Sequence, residues 1–152
     1  TTEGWSFRTN QERGSFVDIG AGNGKVLEAA RRVEGITALH AIEKSRTHLD
    51  MLPPDIFILG VNFWNTTLMD KELGFIFSNP PYSEFEPWTA KILREAPGGS
   101  TVYLVIPERW QRSVPIRKEL GDRKLKYEVI GQYDFADAED RTARAVVHLL
   151  KV

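Results

Sequence analysis

The stretch "SFVDIGAGNGKVLEAARRV", residues 15–33, constrains this chain more than any other. A short, mostly apolar run leads into glycines at alternate positions, Gly20, Gly22 and Gly24, and behind them Val26, Leu27, Ala30 and Val33 return at helical spacing. A buried strand, a loop free to take positive φ, and an amphipathic helix make the opening unit of an α/β sheet.

The alternation continues down the chain. "TALHAIE" (37–43), "DIFILG" (55–60), "GFIFSN" (74–79) and "STVYLVIP" (100–107) read as further strands. Between them, Ser45 caps a short helix that Pro53 and Pro54 stop, a second helix runs from about 84 to 95 and ends at "PGG", and "SVPIRKELG" is a third. The last two strand-like runs, "KYEVIGQYDF" and "ARAVVHLLKV", are joined by a loop too short for a crossover, so they pair antiparallel. The prediction is a doubly wound, Rossmann-like α/β fold: a seven-stranded, mainly parallel sheet with helices on both faces and an antiparallel final strand. A chain of 152 residues, 41% of them apolar, is enough for one core, so 1–152 is expected to be a single domain with an irregular N-terminal segment over 1–15. Trp5 and Phe7 are large apolar residues in that segment.

Composition removes several chemistries. With no cysteine there are no disulfides, thiolate metal ligands or thiol nucleophiles, and His40, His48 and His148 stand too far apart in sequence for a ligand motif, so no metal is expected. No apolar run approaches membrane-spanning length and no signal-peptide pattern opens the chain, which reads as a soluble, intracellular (cytoplasmic) protein without membrane partners. The chain opens without methionine and ends in a strand-like run, so a domain trimmed from a longer protein is expected.

Doubly wound sheets bind ligands at the carboxyl ends of their strands, where this chain's unusual residues gather. Asp18 precedes the glycine loop, and Glu43 closes the second strand, where a carboxylate accepts from ribose hydroxyls. The loop spacing, GxGxG, departs from the GxGxxG of dinucleotide sites. "NPPY" (79–82) leaves the fourth strand through two prolines that fix φ and remove two donors. Alone it would serve as a stiff corner; with Glu43 and the glycine loop upstream it reads as a site. Net charge is −1, yet Glu108 to Lys126 holds seven basic residues against three acids, either a solvated face or a phosphate-binding one. Phe63, Trp64 and Phe85 are core candidates as much as site candidates, Trp88 reads as core rather than site, and Trp110 either walls a pocket or packs on a helix. The acidic residues Asp134, Asp137, Glu139 and Asp140 read as solvated.

"VDIGAGNGKVL", the Glu43 of "HAIEKS", "GVNFW" and "NPPY", in that order, resemble the motifs of class I S-adenosylmethionine-dependent methyltransferases, specifically the amino-methyltransferases with (D/N/S)PP(Y/F). The resemblance covers Phe16 to Val152 and implies one catalytic domain. It implies S-adenosylmethionine as cofactor, leaving as S-adenosylhomocysteine and held by Asp18, Ile19, Gly20, Ala21, Gly22, Gly24, Glu43, Lys44, Asn62, Phe63 and Asn79. Asn62 stands where relatives usually carry Asp. It further implies Asn79, Pro80, Pro81 and Tyr82 as the catalytic motif: Asn79 and the Pro80 carbonyl accept from a planar amino group, and Tyr82 stacks on its ring. Substrate contacts would come from Tyr82, Phe85, Trp110, Arg109, Arg112, Arg117 and Lys118. The favoured substrate is adenine N6 in DNA. Alternatives are amino methylation of RNA, N5-methylation of protein glutamine, and a non-catalytic binding subunit. Absence of cysteine disfavours carbon-5 methylation of pyrimidines. No target-recognition domain is visible, so a partner subunit or a missing flank would supply sequence choice.

Overall fold

The computed structural model describes residues 14–134 and 146–152. Within them strands and helices alternate: β1 (Ser15–Ile19), α1 (Lys25–Arg31), β2 (Ala38–Ile42), α2 (Arg46–Met51), β3 (Phe57–Gly60), β4 (Phe75–Ser78), α3 (Phe85–Glu95), β5 (Thr101–Pro107), α4 (Val114–Asp122), β6 (Glu128–Asp134) and β7 (Val146–Lys151). The seven strands form one sheet in the order β3-β2-β1-β4-β5-β7-β6, which reverses direction of growth between β1 and β4. β1, β2 and β3 pair in parallel, whereas β7 runs antiparallel to both β5 and β6. The predicted sheet, with its antiparallel last strand, is the one observed. Trp5, Phe7, Asp137, Glu139 and Asp140 lie outside the described residues. No helix among the described residues is long and apolar enough to cross a membrane.

The described residues divide into two compact units, one running up to Phe77 with Ala96–Thr101 added, the other comprising Ser78–Glu95 and Val102–Val152. In the first, every residue of β1 is buried. Phe16, Leu27, Ala30, Leu39, Ala41 and Ile56 share one apolar cluster, on which Val26, Ile36, Leu52, Phe75 and Phe77 pack. The helical spacing of Val26, Leu27 and Ala30 thus faces the sheet, as the pattern requires. α2 begins with the Ser45 hydroxyl accepting from His48 N–H at 3.3 Å and ends at an extended Leu52, the geometry a residue before proline prefers.

In the second unit α3 packs against α4. The guanidinium of Arg123 donates to the carbonyls of Leu93 and Arg94, satisfying groups that the last turn of α3 leaves without helical partners. Ser113 caps α4, which continues one residue past Gly121; the left-handed reversal that ends it falls on Lys124 at φ 51°. Glycine in the sequence marks the neighbourhood of this stop but not its position. Trp110 is buried and its Nε1–H donates to His148 Nδ1 at 3.0 Å.

A buried hydroxyl on α3 lacks compensation. Thr89, on α3, is fully buried, and its hydroxyl has no hydrogen-bond partner among the described residues. Thr89→Val keeps the branched shape and removes the stranded hydroxyl, so it should raise unfolding free energy by about 1 kcal/mol. Urea denaturation of the two proteins checks this; a lower midpoint in the variant would mean that the hydroxyl is satisfied in solution.

Candidate active site

In the first unit, candidate residues gather at the carboxyl ends of β1 and β2. Gly20, Gly22 and Gly24 all have positive φ, at 80°, 54° and 82°. Two backbone donors, Gly20 N–H and Ala21 N–H, reach Ile42 O at 2.7 and 3.3 Å and tie the loop to the end of β2. A Cβ built on Gly22 would meet nothing within 4 Å, so the loop's crest opens onto free space. A Cβ on Gly24 would press on Leu52 at 2.9 Å, and Gly24 is itself the left-handed N-cap of α1. The glycine that comes one residue early for a dinucleotide fingerprint therefore starts the helix.

Glu43 holds this loop. It is 7% exposed, and its two carboxylate oxygens accept from Gly22 N–H at 2.9 Å and Ser45 N–H at 3.0 Å. His48 Nδ1 stands 3.5 Å from the same carboxylate. Asp18, 3% exposed, pays for its position: burial, and after it the negative charge of Glu43, pushes its carboxyl up to about 7. Ile19 and Ala21 are core residues, and Lys44 is exposed.

"GVNFW" is rearranged relative to expectation. Asn62 is exposed, but its side-chain oxygen accepts from Trp64 N–H at 3.0 Å and so caps the short turn Phe63–Asn65. Phe63 is 3% exposed and packs in the core. The aromatic face that does reach solvent is Trp64, 42% exposed, with its ring 5.6 Å from that of Phe63.

The second unit carries the NPPY corner. Ser78, at the end of β4, is fully buried; Asn79 is exposed, Pro80 buried, Pro81 exposed, and Tyr82 is 37% exposed. Pro81 is extended at φ −56°, ψ 136°, and its carbonyl accepts from Glu84 N–H at 3.0 Å to close the turn Tyr82–Glu84 before α3. Asn79's side chain makes no hydrogen bond among the described residues. Trp88 Nε1–H donates to Ser78 Oγ at 3.0 Å.

Two expected substrate contacts, Phe85 and Trp110, are buried. Phe85 is 2% exposed beneath the guanidinium of Arg109, 4.8 Å from its ring centroid, so its face is already occupied. Trp110, equally buried, spends its N–H on His148 and packs edge-on against Tyr127, 5.7 Å between rings. The basic window also narrows. Lys118 pairs with Asp122, Arg117 donates to the Tyr127 hydroxyl, and Arg123 caps α3. Arg109 and Arg112, flanking Trp110 on the turn after β5, are exposed and pair with no acid among the described residues.

The chain matches no protein-family model and no curated protein. Among solved structures it is similar to a ribosomal protein L11 methylase from Lactobacillus delbrueckii subsp. bulgaricus (TM-score 0.61, 15% identity, 91% of this chain and 68% of that one). It is also similar to a dimethyladenosine transferase from Plasmodium falciparum (TM-score 0.66, 11% identity, 90% of this chain and 54% of that one). A third likeness is to an S-adenosylmethionine dependent methyltransferase from Mesorhizobium loti (TM-score 0.57, 10% identity, 97% and 94%). The fold is thus a Rossmann-like methyltransferase fold.

The state of Asp18 has a measurable consequence. Its folded-state value of about 7 exceeds the ordinary 3.8, so the folded form binds this proton more tightly than the unfolded form. The stability that proton supports is complete below about pH 4 and lost as pH rises to about 7. Asp18→Asn, which mimics the protonated side chain, should gain stability relative to the parent between pH 5 and 7 and hold a constant advantage above. Denaturation midpoints at pH 5, 6, 7 and 8 read this directly; a difference that does not change with pH would show that Asp18 titrates normally.

Proposed function

We propose that the chain is an S-adenosylmethionine-dependent amino-methyltransferase acting on adenine N6 in DNA. The observation that carries it is Asn79: an exposed amide with no internal hydrogen bond, set between a fully buried serine and a buried proline at the end of β4. An uncommitted amide on rigid backbone is what a planar amino group needs for orientation.

The cofactor reading is supported by the first unit. Three glycines with positive φ and open space at Gly22 give a ligand close approach to backbone. Two buried carboxylates, Asp18 and Glu43, stand there with no lysine or arginine partner among the described residues, so a ligand bearing positive charge would offset their repulsion. When bound, S-adenosylmethionine supplies an electrophilic methyl group and leaves as S-adenosylhomocysteine. Glu43 would keep the loop in shape through Gly22 and hold the ribose with its remaining lone pairs. Lys44 borders this edge, and Trp64 offers the ring that Phe63 does not.

In the second unit, Asn79 Oδ1 and the Pro80 carbonyl would accept from the adenine amino group, turning its lone pair toward the methyl donor. Pro81 stiffens the corner and Tyr82 stacks on the base. The nitrogen becomes acidic as it is alkylated, so its proton passes to solvent and no strong base is required. Arg109 and Arg112 would meet the phosphate backbone. A dimethyladenosine transferase among the structural neighbours supports adenine as the acceptor and keeps RNA as the competing polymer; the ribosomal protein methylase keeps a protein substrate in view. Sequence choice would come from a partner or from flanking chain.

Two variants should part binding from chemistry. Asn79→Ala should lower turnover by about a hundredfold or more and leave cofactor affinity intact. Glu43→Ala should weaken cofactor binding by about tenfold to a hundredfold, the loss of 1.5–3 kcal/mol typical of a charged hydrogen bond. Calorimetry with S-adenosylmethionine, and nucleoside mass spectrometry of DNA after incubation, supply both readouts. Methyl groups appearing in RNA or on glutamine, with none in DNA, would transfer the reading to that substrate.

DNA binding should weaken with salt, log K falling by about 0.7–0.9 per phosphate contacted. Arg109→Ala with Arg112→Ala should flatten that slope by about two such contacts, whereas Lys118→Ala, whose charge is already shared with Asp122, should not alter it. Fluorescence anisotropy across a salt series distinguishes the cases, and an unchanged slope in the double variant removes this face from DNA binding.

A further inference from the structure

We infer that Trp88 and Ser78 form a brace that sets the position of Asn79, making Trp88 a positioning residue for transfer; the inference rests on Asn79 as the amide that orients the target amino group. Asn79 has no side-chain hydrogen bond among the described residues, so nothing but its backbone determines where its amide lies. On its C-terminal side that backbone is restricted by Pro80, whose ring fixes its own φ and biases Asn79 toward extended geometry. On the N-terminal side the prolines have no influence. There the chain emerges from β4 at Ser78, the strand's last residue, whose hydroxyl accepts from Trp88 Nε1–H at 3.0 Å.

The bond reaches across ten residues of chain. Trp88 sits on the first turn of α3, a helix anchored by buried Phe85, Thr89, Ile92 and Leu93. The brace therefore ties the residue before the motif to the rigid element behind it, and the loop Asn79–Glu84 is closed at both ends. Trp88 is half-buried, so its ring has a packing role in addition; only the N–H is committed to Ser78. A phenylalanine would fill much of the same volume without that donor.

The test uses the full chain and two readouts, of which one involves no substrate. Ser78→Ala removes one oxygen and leaves the indole in place; Trp88→Phe removes the donor. Side-chain amide relaxation of Asn79, measured by 15N NMR, should show a lowered order parameter in each. Turnover on adenine-containing duplex and single-stranded DNA should fall by about tenfold to a hundredfold with little change in KM or in cofactor Kd. The double variant should lose no more than the worse single one, because both remove the same bond. If Asn79 stays as ordered in both single variants as in the parent, or if the two losses multiply, the brace is wrong. If order falls while parent and variants methylate DNA equally, the brace stands and Asn79 is not the orienting amide. If Trp88→Phe fails to fold, Ser78→Ala alone still decides the order parameter.

Discussion

Glu43 terminates β2 with a carboxylate that has no room to be anything but an acceptor. One oxygen takes Gly22 N–H, the other Ser45 N–H, and by this pair of bonds the crest of the glycine loop and the start of α2 are referred to the same strand end. Charge-assisted bonds to backbone are among the stronger hydrogen bonds in proteins. The loop needs such a tie, because three residues with positive φ gain nothing from intrinsic preference and glycine loses more entropy on ordering than any other residue. Gly20 and Ala21 reinforce it through Ile42 O.

The same carboxylate adds to a tension at Asp18 that burial creates first. Removing the Asp18 carboxylate from water, and after that setting it near the negative charge of Glu43, raises the free energy of the folded chain in its charged form, and the upward shift of Asp18 reflects both. Destabilising groups concentrated at one strand end are what a binding site looks like before its ligand is counted. In the second unit the corresponding economy is a polar group left idle: Asn79, exposed and unbonded, on backbone that is otherwise well held.

Periodicity carried most of the fold. Each strand named from its apolar run is present, and α1 faces the core with Val26, Leu27 and Ala30, whereas Val33, of the same spacing, lies past the helix end and is exposed. Boundaries followed less well. α4 passes through Gly121 and turns at Lys124, since a left-handed residue is chosen by where the chain must reverse and a lysine tolerates it there at some cost. At the strand ends, the positions of residues with fixed chemistry were legible: the glycines, Asp18 and Glu43 lie at the ends of β1 and β2 in the first unit, and the NPPY corner follows β4 in the second. The aromatic and basic residues were not. A phenylalanine or an arginine serves core, cap or surface equally well, and only packing tells that Phe85 lies under Arg109, that Phe63 is inside and Trp64 outside, and that Arg123 closes a helix.

β6 closes the sheet order and is largely exposed along its length, with Val129, Ile130 and Tyr133 all open to solvent. A strand of this composition at an edge is a template on which another chain could grow a sheet. Its register against β7 slips between Val129 and Gly131. Such a bulge bends and overtwists the strand, so its outer backbone groups do not present the even ladder that an incoming strand would need. Lys124 and Lys126 add like charges just ahead of it. Resistance to self-assembly at this edge is therefore written into an irregularity of backbone, and a change that straightened it, such as deletion of Ile130, would turn a soluble surface into an adhesive one.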